Sequence, residues 1–339
     1  MESQNPVRCA VLGAGSFGTC LAILLAERGY AVSLWARDPL IVDGIRRHRR
    51  NPRYLTDLPL PQNIEAVSSL EEALVHREVV LSVVPSYAVR EVWERARGYL
   101  DRDALVISAS KGIEVGSGLL MSQILREVLP PEAHARLVFL SGPSFAREIA
   151  EGLPTAASLA SNNEGFAIAA QSILSSPSFR CYTNDDVIGL ELGGALKNVI
   201  AIAVGISDGM QMGLNSRAAL ITRGLAEIGR LGAALGAKPL TFLGLSGIGD
   251  LILTCTGDLS RNRRVGLAIG RGEPIEQVLE RLTEVAEGVR TTRSAYELAR
   301  RNGVEMPITD SVYRVLYERK DLDEAVRELV TRQLKSEYE

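Results

Sequence analysis

Cysteine and histidine are scarce in this chain, with four and three among 339 residues. Cys9, Cys20, Cys181 and Cys255 are scattered, with no Cys-x-x-Cys pair and no histidine at ligand spacing. That distribution argues against a disulfide scaffold and against a zinc site, and no metal is expected. It fits a reduced, cytoplasmic protein. A large excess of one charge is missing too: 38 basic against 41 acidic residues give a net charge of −3. Neither nucleic acid nor a membrane surface is therefore expected as the main partner. No secretory leader is expected, because the first apolar run, Val7 to Leu12, is short and leads straight into a glycine loop. No apolar run reaches the roughly twenty uninterrupted residues of a membrane span. Repeats and low-complexity linkers are lacking as well.

The chain does have length, glycine and alternation. Its 339 residues suggest two domains, and many of its 31 glycines sit in short clusters between strands and helices. Arg8–Leu12 reads as an apolar strand, followed by Gly13-Ala-Gly-Ser-Phe-Gly18, a helix from Thr19 to Arg28, and a strand from Ala31 to Ala36. This is the context that a dinucleotide fingerprint requires. Gly13 permits the tight turn, Gly15 lets backbone approach a pyrophosphate, and Gly18 lets the helix pack on its strand, with the helix N-terminus facing the phosphates. Arg37 and then Asp38 follow the second strand. An arginine there suits a 2′-phosphate and an acid suits a ribose 2′-OH. Asp38 precedes Pro39 and reads as a turn or cap residue, so NADPH is favoured and NADH stays open. Arg46, Arg47, Arg49 and Arg50 either add a positive field around that phosphate or form a solvated helix face.

Further apolar strands are expected at Ile64–Val67, Val79–Val84, Ala104–Ser108, Leu137–Leu140, Thr155–Ser161 and Phe179–Thr183. Continuous apolar strands alternating with helices indicate a Rossmann-type, doubly wound, mostly parallel sheet covered on both faces. Pro85, Lys111, Gly142 and Ser144 all fall just past strand ends and should share one rim. Lys111 there is either a substrate contact or an ordinary loop lysine. The junction is expected near Asn184 to Ile188, which divides the chain into residues 1–186 and an all-α domain, residues 187–339.

That second half opens with Glu191 to Gly209, a helix-length run that is apolar on almost every face, as in a helix buried on all sides. Its one cation is Lys197, followed by Asn198. Lysine is rarely buried without a partner or a use. Either it faces a substrate pocket, with Gly193 and Gly194 leaving room for ligand or backbone, or it snorkels to a carboxylate such as Glu191. Further on, four glycines and Asp250 interrupt an apolar segment from Thr241, and Asp250 there needs a partner such as Lys197 or Arg261. Ser260, Arg261 and Asn262 stand at the start of a helix. They form an anion site of N–H donors, helix dipole and guanidinium, or else plain N-capping with surface arginines. Helices are expected at Asn215–Leu231, Glu287–Arg301, Pro307–Tyr317 and Leu322–Thr331.

Along nearly its whole length the chain resembles the bacterial-type NAD(P)-dependent glycerol-3-phosphate dehydrogenases. The resemblance rests on Gly-Ala-Gly-Ser-Phe-Gly18, Val-Val-Pro-Ser86, Ser-Lys-Gly112, Ser-Gly-Pro-Ser-Phe-Ala146, Glu-Leu-Gly-Gly-Ala-Leu-Lys-Asn198, Leu-Ser-Gly-Ile-Gly-Asp250 and Ser-Arg-Asn-Arg263. It implies reversible reduction of dihydroxyacetone phosphate to sn-glycerol 3-phosphate, the glycerophospholipid backbone. Lys197 would then be the proton donor/acceptor, and Lys111 would touch both substrate and cofactor. Gly142, Ser144, Asp250, Ser260, Arg261 and Asn262 would line the substrate site. Ser16, Phe17, Arg37, Tyr54, Ala146, Arg261, Val285 and Glu287 would contact NADPH or NADH. Asn198 or Lys111 would stabilise the oxyanion. A homodimer through the helical half is plausible. Two rivals stand beside this reading: a β-hydroxyacid or ketopantoate type reductase, which gives no reason for Ser260-Arg261-Asn262, and a non-catalytic dinucleotide sensor, which gives none for Lys197.

Overall fold

Alternate residues of the apolar strands turn to opposite sides of one sheet, and both sides are covered. Cys9 and Val11 belong to one core, Ala10 and Leu12 to another, and none of the four is exposed. A sheet covered on both faces is what such unbroken apolar strands require. This computed structural model describes residues 7–281, 286–334 and 336.

The sheet strands are β1 Arg8–Leu12, β2 Ala31–Trp35, β3 Ile64–Val67, β4 Val79–Ser82, β5 Leu105–Ser108, β6 Leu137–Ser141, β7 Thr155–Ala160 and β8 Phe179–Asn184. They are hydrogen-bonded in the order β3-β2-β1-β4-β5-β6-β7-β8. Leu12 pairs with Trp35 on one side and Ser82 on the other. The glycine loop therefore leaves the sheet at the point where strand order reverses, the crevice in which such sheets bind ligands. Pairing is parallel except between β6 and β7, where Phe139 opposes Ala160. The helices of this half are α1 Ser16–Glu27, α2 Pro39–His48, α3 Leu70–Leu74, α4 Val89–Ala96, α5 Met121–Val128, α6 Ala146–Ala150 and α7 Glu164–Leu174. α2, α4 and α5 supply crossovers between parallel strands.

From Val187 the chain is helical: α8 Val187–Gly209, α9 Gly213–Ala234, α10 Pro239–Phe242, α11 Asp250–Thr256, α12 Arg261–Gly270, α13 Ile275–Arg281, α14 Glu287–Arg301, α15 Pro307–Glu318 and α16 Leu322–Val330. The stretch expected as a glycine-interrupted segment from Thr241 is helical instead. A wide turn at Leu245–Gly249 joins α10 to α11, and its kink falls at Gly247, whose Cβ would lie 2.1 Å from Phe242 O. Only glycine fits there, and the kink sets Asp250 as the first residue of a new helix.

α8 is the axis of this half. Val187–Gly209 and Pro239–Thr256 are long and apolar enough to cross a membrane, but 94% of the former's apolar window is buried inside the protein. α12 crosses α8 backbone to backbone. A Cβ on Gly205 would lie 2.2 Å from Arg263 O, and one on Gly266 would lie 2.1 Å from Ile202 O. That close approach fixes where the N-terminus of α12 sits relative to Lys197.

Candidate active site

The glycine loop has the shape of a phosphate cradle. Gly13 holds φ at +115°, and a Cβ there would meet Val83 O at 2.8 Å. On Gly18 a Cβ would meet Gly13 O at 1.8 Å, so loop and helix touch. Beside Gly15 there is open space, and no side chain caps α1. The orphan N–H groups of that helix start suit an anion. α1 begins at Ser16 rather than at Thr19, which brings Ser16 and Phe17 into its first turn. These features fit a dinucleotide pyrophosphate.

At the same rim two lysines meet on one carboxylate. Lys111, just beyond β5, donates to Asp250 Oδ2 at 2.8 Å and to Gly142 O at 3.2 Å. Lys197 donates to Asp250 Oδ1 and, at 2.9 Å, to Thr254 Oγ1. Thr254 in turn donates to Asp250 O at 2.6 Å. Glu191 is not the lysine's partner: it accepts from Ser122 N at 2.8 Å and from the Ser122 hydroxyl at the start of α5. Glu191 lies six residues, about one and two-thirds turns, before Lys197 on α8, so the two side chains leave the helix on different faces. Burial pushes the Lys197 ammonium down to about 8, with Lys111 adding to the push and Asp250 opposing it. Burial works against the charge of Asp250, yet the two ammonium groups hold its carboxyl below the ordinary range. Gly194 makes room for this cluster, since a Cβ there would lie 2.5 Å from Ser141 Oγ and 3.6 Å from Lys111 Cδ.

Gly142 and Ser144 stand on the loop after β6, where Ser144 Oγ donates to Gly142 O at 2.8 Å. Ser260 caps α12 by accepting from Arg263 N at 3.2 Å. Asn262 links the helices: its Nδ2 donates to Asn198 Oδ1 at 2.8 Å, and its Oδ1 accepts from Gly288 N at 3.0 Å. Asn198 Oδ1 is taken up by this bond, and its Nδ2 has no hydrogen-bond partner among the described residues. Glu287 at the start of α14 reaches across to accept from Ser86 N at 3.2 Å. Burial pushes its carboxyl up, against Arg261, Lys111 and Lys197. Ala146 opens α6, Arg261 is exposed at the start of α12, and Arg37 is exposed just past β2. Tyr54 packs against the core of the first half. Val285 lies outside the described residues. Among the described residues no group of three or more His, Cys, Asp or Glu could hold a metal ion.

Family models for the N- and C-terminal parts of NAD-dependent glycerol-3-phosphate dehydrogenase match residues 8–167 and 186–327. The chain belongs to this family. It is 53% identical over 339 residues to a glycerol-3-phosphate dehydrogenase [NAD(P)+] of Syntrophobacter fumaroxidans, covering 100% of this chain and 99% of the other. It is 52% identical over 330 residues to one of Citrifermentans bemidjiense, covering 97% and 98%. Among solved structures, glycerol-3-phosphate dehydrogenase from Coxiella burnetii superposes with a TM-score of 0.92 at 42% identity, over 96% of this chain and 99% of that one. A ketopantoate reductase from Ralstonia eutropha shares the fold alone, with a TM-score of 0.59 at 17% identity over 91% and 97% of the two chains.

Three side chains at the site carry no signal of their own in the sequence. Thr254 lies one turn after Asp250, a spacing that carries meaning only once the segment is seen as helix. Asn51, 0% exposed, fastens the loop after α2 to the glycine loop. Arg53 on that loop faces Asp38 at 3.9 Å. The arginine run behaves differently from a phosphate field: Arg46 and Arg49 donate to carbonyls of Ala66 and Ile64, Arg50 to that of Asp57, and Arg47 pairs with Asp43. Those groups are engaged in holding α2 and its loop.

Proposed function

We propose that this chain interconverts dihydroxyacetone phosphate and sn-glycerol 3-phosphate with NADH or NADPH, and that Lys197 handles the proton of the reacting oxygen. The observation that carries the reading is a buried lysine held by Asp250, beside a second lysine, at the carboxyl end of a dinucleotide-type sheet. Ser16, Phe17 and the backbone around Gly13, Gly15 and Gly18 hold the pyrophosphate, with Arg37, Tyr54, Ala146, Arg261, Val285 and Glu287 around the rest of the cofactor. When bound, the nicotinamide supplies or accepts the hydride.

Lys197, protonated, donates to the oxygen that gains charge as the ketone is reduced, and in the reverse direction its neutral amine takes the alcohol proton. Asp250 orients the ammonium and Thr254 fixes its second hydrogen bond. Lys111 and Asn198 Nδ2 face the developing oxyanion. Ser260, Arg261 and Asn262 bind the phosphate at the N-terminus of α12, a remote handle that places the carbonyl, with Gly142 and Ser144 completing the wall.

Residues 1–186 form the cofactor domain and residues 187–339 the substrate domain in this reading, with Lys111 reaching across. NADPH is the preferred cofactor. The four buried, unpaired thiols suit a cytoplasmic enzyme, no membrane insertion is part of the reading, and the helical half forms a homodimer.

Oxidation of NADPH and NADH by purified protein tests the activity, with dihydroxyacetone phosphate, unphosphorylated dihydroxyacetone, ketopantoate and a β-keto acid as acceptors. Turnover confined to the phosphorylated ketone is expected. Turnover of ketopantoate in its place contradicts the reading and supports the rival reductase.

A further inference from the structure

The end of β2 is where a dinucleotide sheet distinguishes a ribose 2′-hydroxyl from a 2′-phosphate. Here the acid at that place already has partners on both oxygens. Asp38 Oδ1 accepts from Leu40 N at 3.0 Å and so caps α2. Its Oδ2 faces Arg53 Nη1 at 3.9 Å, with the two side chains 40% and 52% exposed. One oxygen of this carboxylate is thus committed to the helix cap, and the other faces a cation that offsets its charge.

Arg53 reaches Asp38 from an anchored loop. Asn51 donates its Nδ2 to Ala14 O and to Thr19 Oγ1, both at 2.9 Å. Its Oδ1 accepts from Arg53 N and Tyr54 N, both at 3.0 Å. One buried amide thus ties the backbone of Arg53 to the glycine loop itself. The guanidinium also stands 5.8 Å from the centre of the Tyr54 ring. Arg37, two residues past the end of β2, is exposed and has no hydrogen bond or ion pair among the described residues.

We propose that Arg53, together with Arg37, is the 2′-phosphate site, and that Arg53 is the residue that makes this chain take NADPH in preference to NADH. The proposal rests on the reading that the glycine loop binds a nicotinamide dinucleotide. Arg53 trades a long, half-exposed contact with Asp38 for a charge-assisted, forked contact with a phosphate. While paired it also screens the negative charge of Asp38, which otherwise repels that phosphate. Asp38 remains the cap of α2 throughout.

The test is equilibrium binding, read by calorimetry, of NADPH, NADH, 2′,5′-ADP and 5′-AMP to wild type, Arg53→Gln, Arg37→Gln and Asp38→Asn. In Arg53→Gln, NADPH and 2′,5′-ADP are expected to weaken about tenfold, with NADH and 5′-AMP within about twofold. Asp38→Asn, which keeps a capping side chain, is expected to tighten NADPH and leave NADH unchanged. Added salt should narrow the NADPH/NADH gap in wild type more than in Arg53→Gln. Unchanged selectivity in Arg53→Gln overturns the proposal, as does a marked loss of NADH binding in Asp38→Asn. Wild type that binds neither dinucleotide overturns the functional reading itself and not merely the role of Arg53.

Discussion

Lys197 and Asp250 hold opposite charges in direct contact with side chains only 10% and 1% exposed. Desolvation dominates the lysine, so its ammonium gives up a proton near pH 8 and not near 10.5. In the free enzyme that group sets one limb of kcat/KM. Reduction needs the ammonium, so its rate should fall as pH rises through about 8. Oxidation needs the neutral amine, so its rate should fall as pH drops through the same range. Profiles measured in both directions with saturating cofactor check this. Limbs of the same sign in both directions contradict the assignment.

Asp250→Asn should move that limb. The carboxylate opposes the downward push on Lys197, so removing it lowers the lysine pKa further and shifts the reduction limb to lower pH. It also leaves the buried Lys197 ammonium and the part-buried Lys111 without their shared partner, a loss of about 3 kcal/mol. Thr254→Val removes the hydroxyl's bonds to Lys197 and to Asp250 O and no charge. It should lower turnover modestly while leaving the limb near where wild type has it, and the two variants separate charge from orientation.

The α8–α12 contact offers a test far from any reacting atom. Gly266→Ala places a methyl 2.1 Å from Ile202 O, so the helices must part. A loss of about 1–3 kcal/mol is expected. Because α12 carries Ser260, Arg261 and Asn262 at its start, KM for the phosphorylated substrate should rise more than kcat falls. Equal effects on both parameters, or none on KM, contradict the idea that this crossing positions the phosphate site.

Two carboxylates make stability depend on pH. Glu191, bonded to Ser122, and Glu227, bonded to Ile308 N and Thr309 N, are both pushed up to about 7 by burial. A carboxyl raised in the folded state binds its proton more tightly there than in the unfolded chain. Its contribution is present below the unfolded value near 4.5 and is lost as pH rises through about 7. Each amounts to about 2 kcal/mol between about pH 5.5 and about pH 8.5. Glu227→Gln should flatten that part of the profile in urea titrations. A slope unchanged from wild type counts against burial as the cause.

Strand positions were legible in the sequence as continuous apolar runs stopped by glycine, proline, serine or asparagine. The sheet's both-sided burial follows from unbroken runs such as Val79–Leu81, and α8 from an apolar run with one cation. The partner of Lys197 was only half legible. Asp250 was a candidate beside Glu191, and the choice depends on the kink at Gly247, which periodicity does not show. The same kink hid Thr254. Arg53 was hidden for another reason: the bond from Asn51 to Ala14 O joins residues far apart in the chain, and the run of arginines before it drew attention that its members do not merit.

The measurement that bears most directly on the account is turnover and cofactor affinity in Lys197→Met, side by side with wild type. The account predicts turnover of dihydroxyacetone phosphate reduced about a thousandfold, with NADPH affinity kept within about threefold and the fold intact. Full activity in that variant would make Lys197 a scaffold residue of α8 and contradict the central claim.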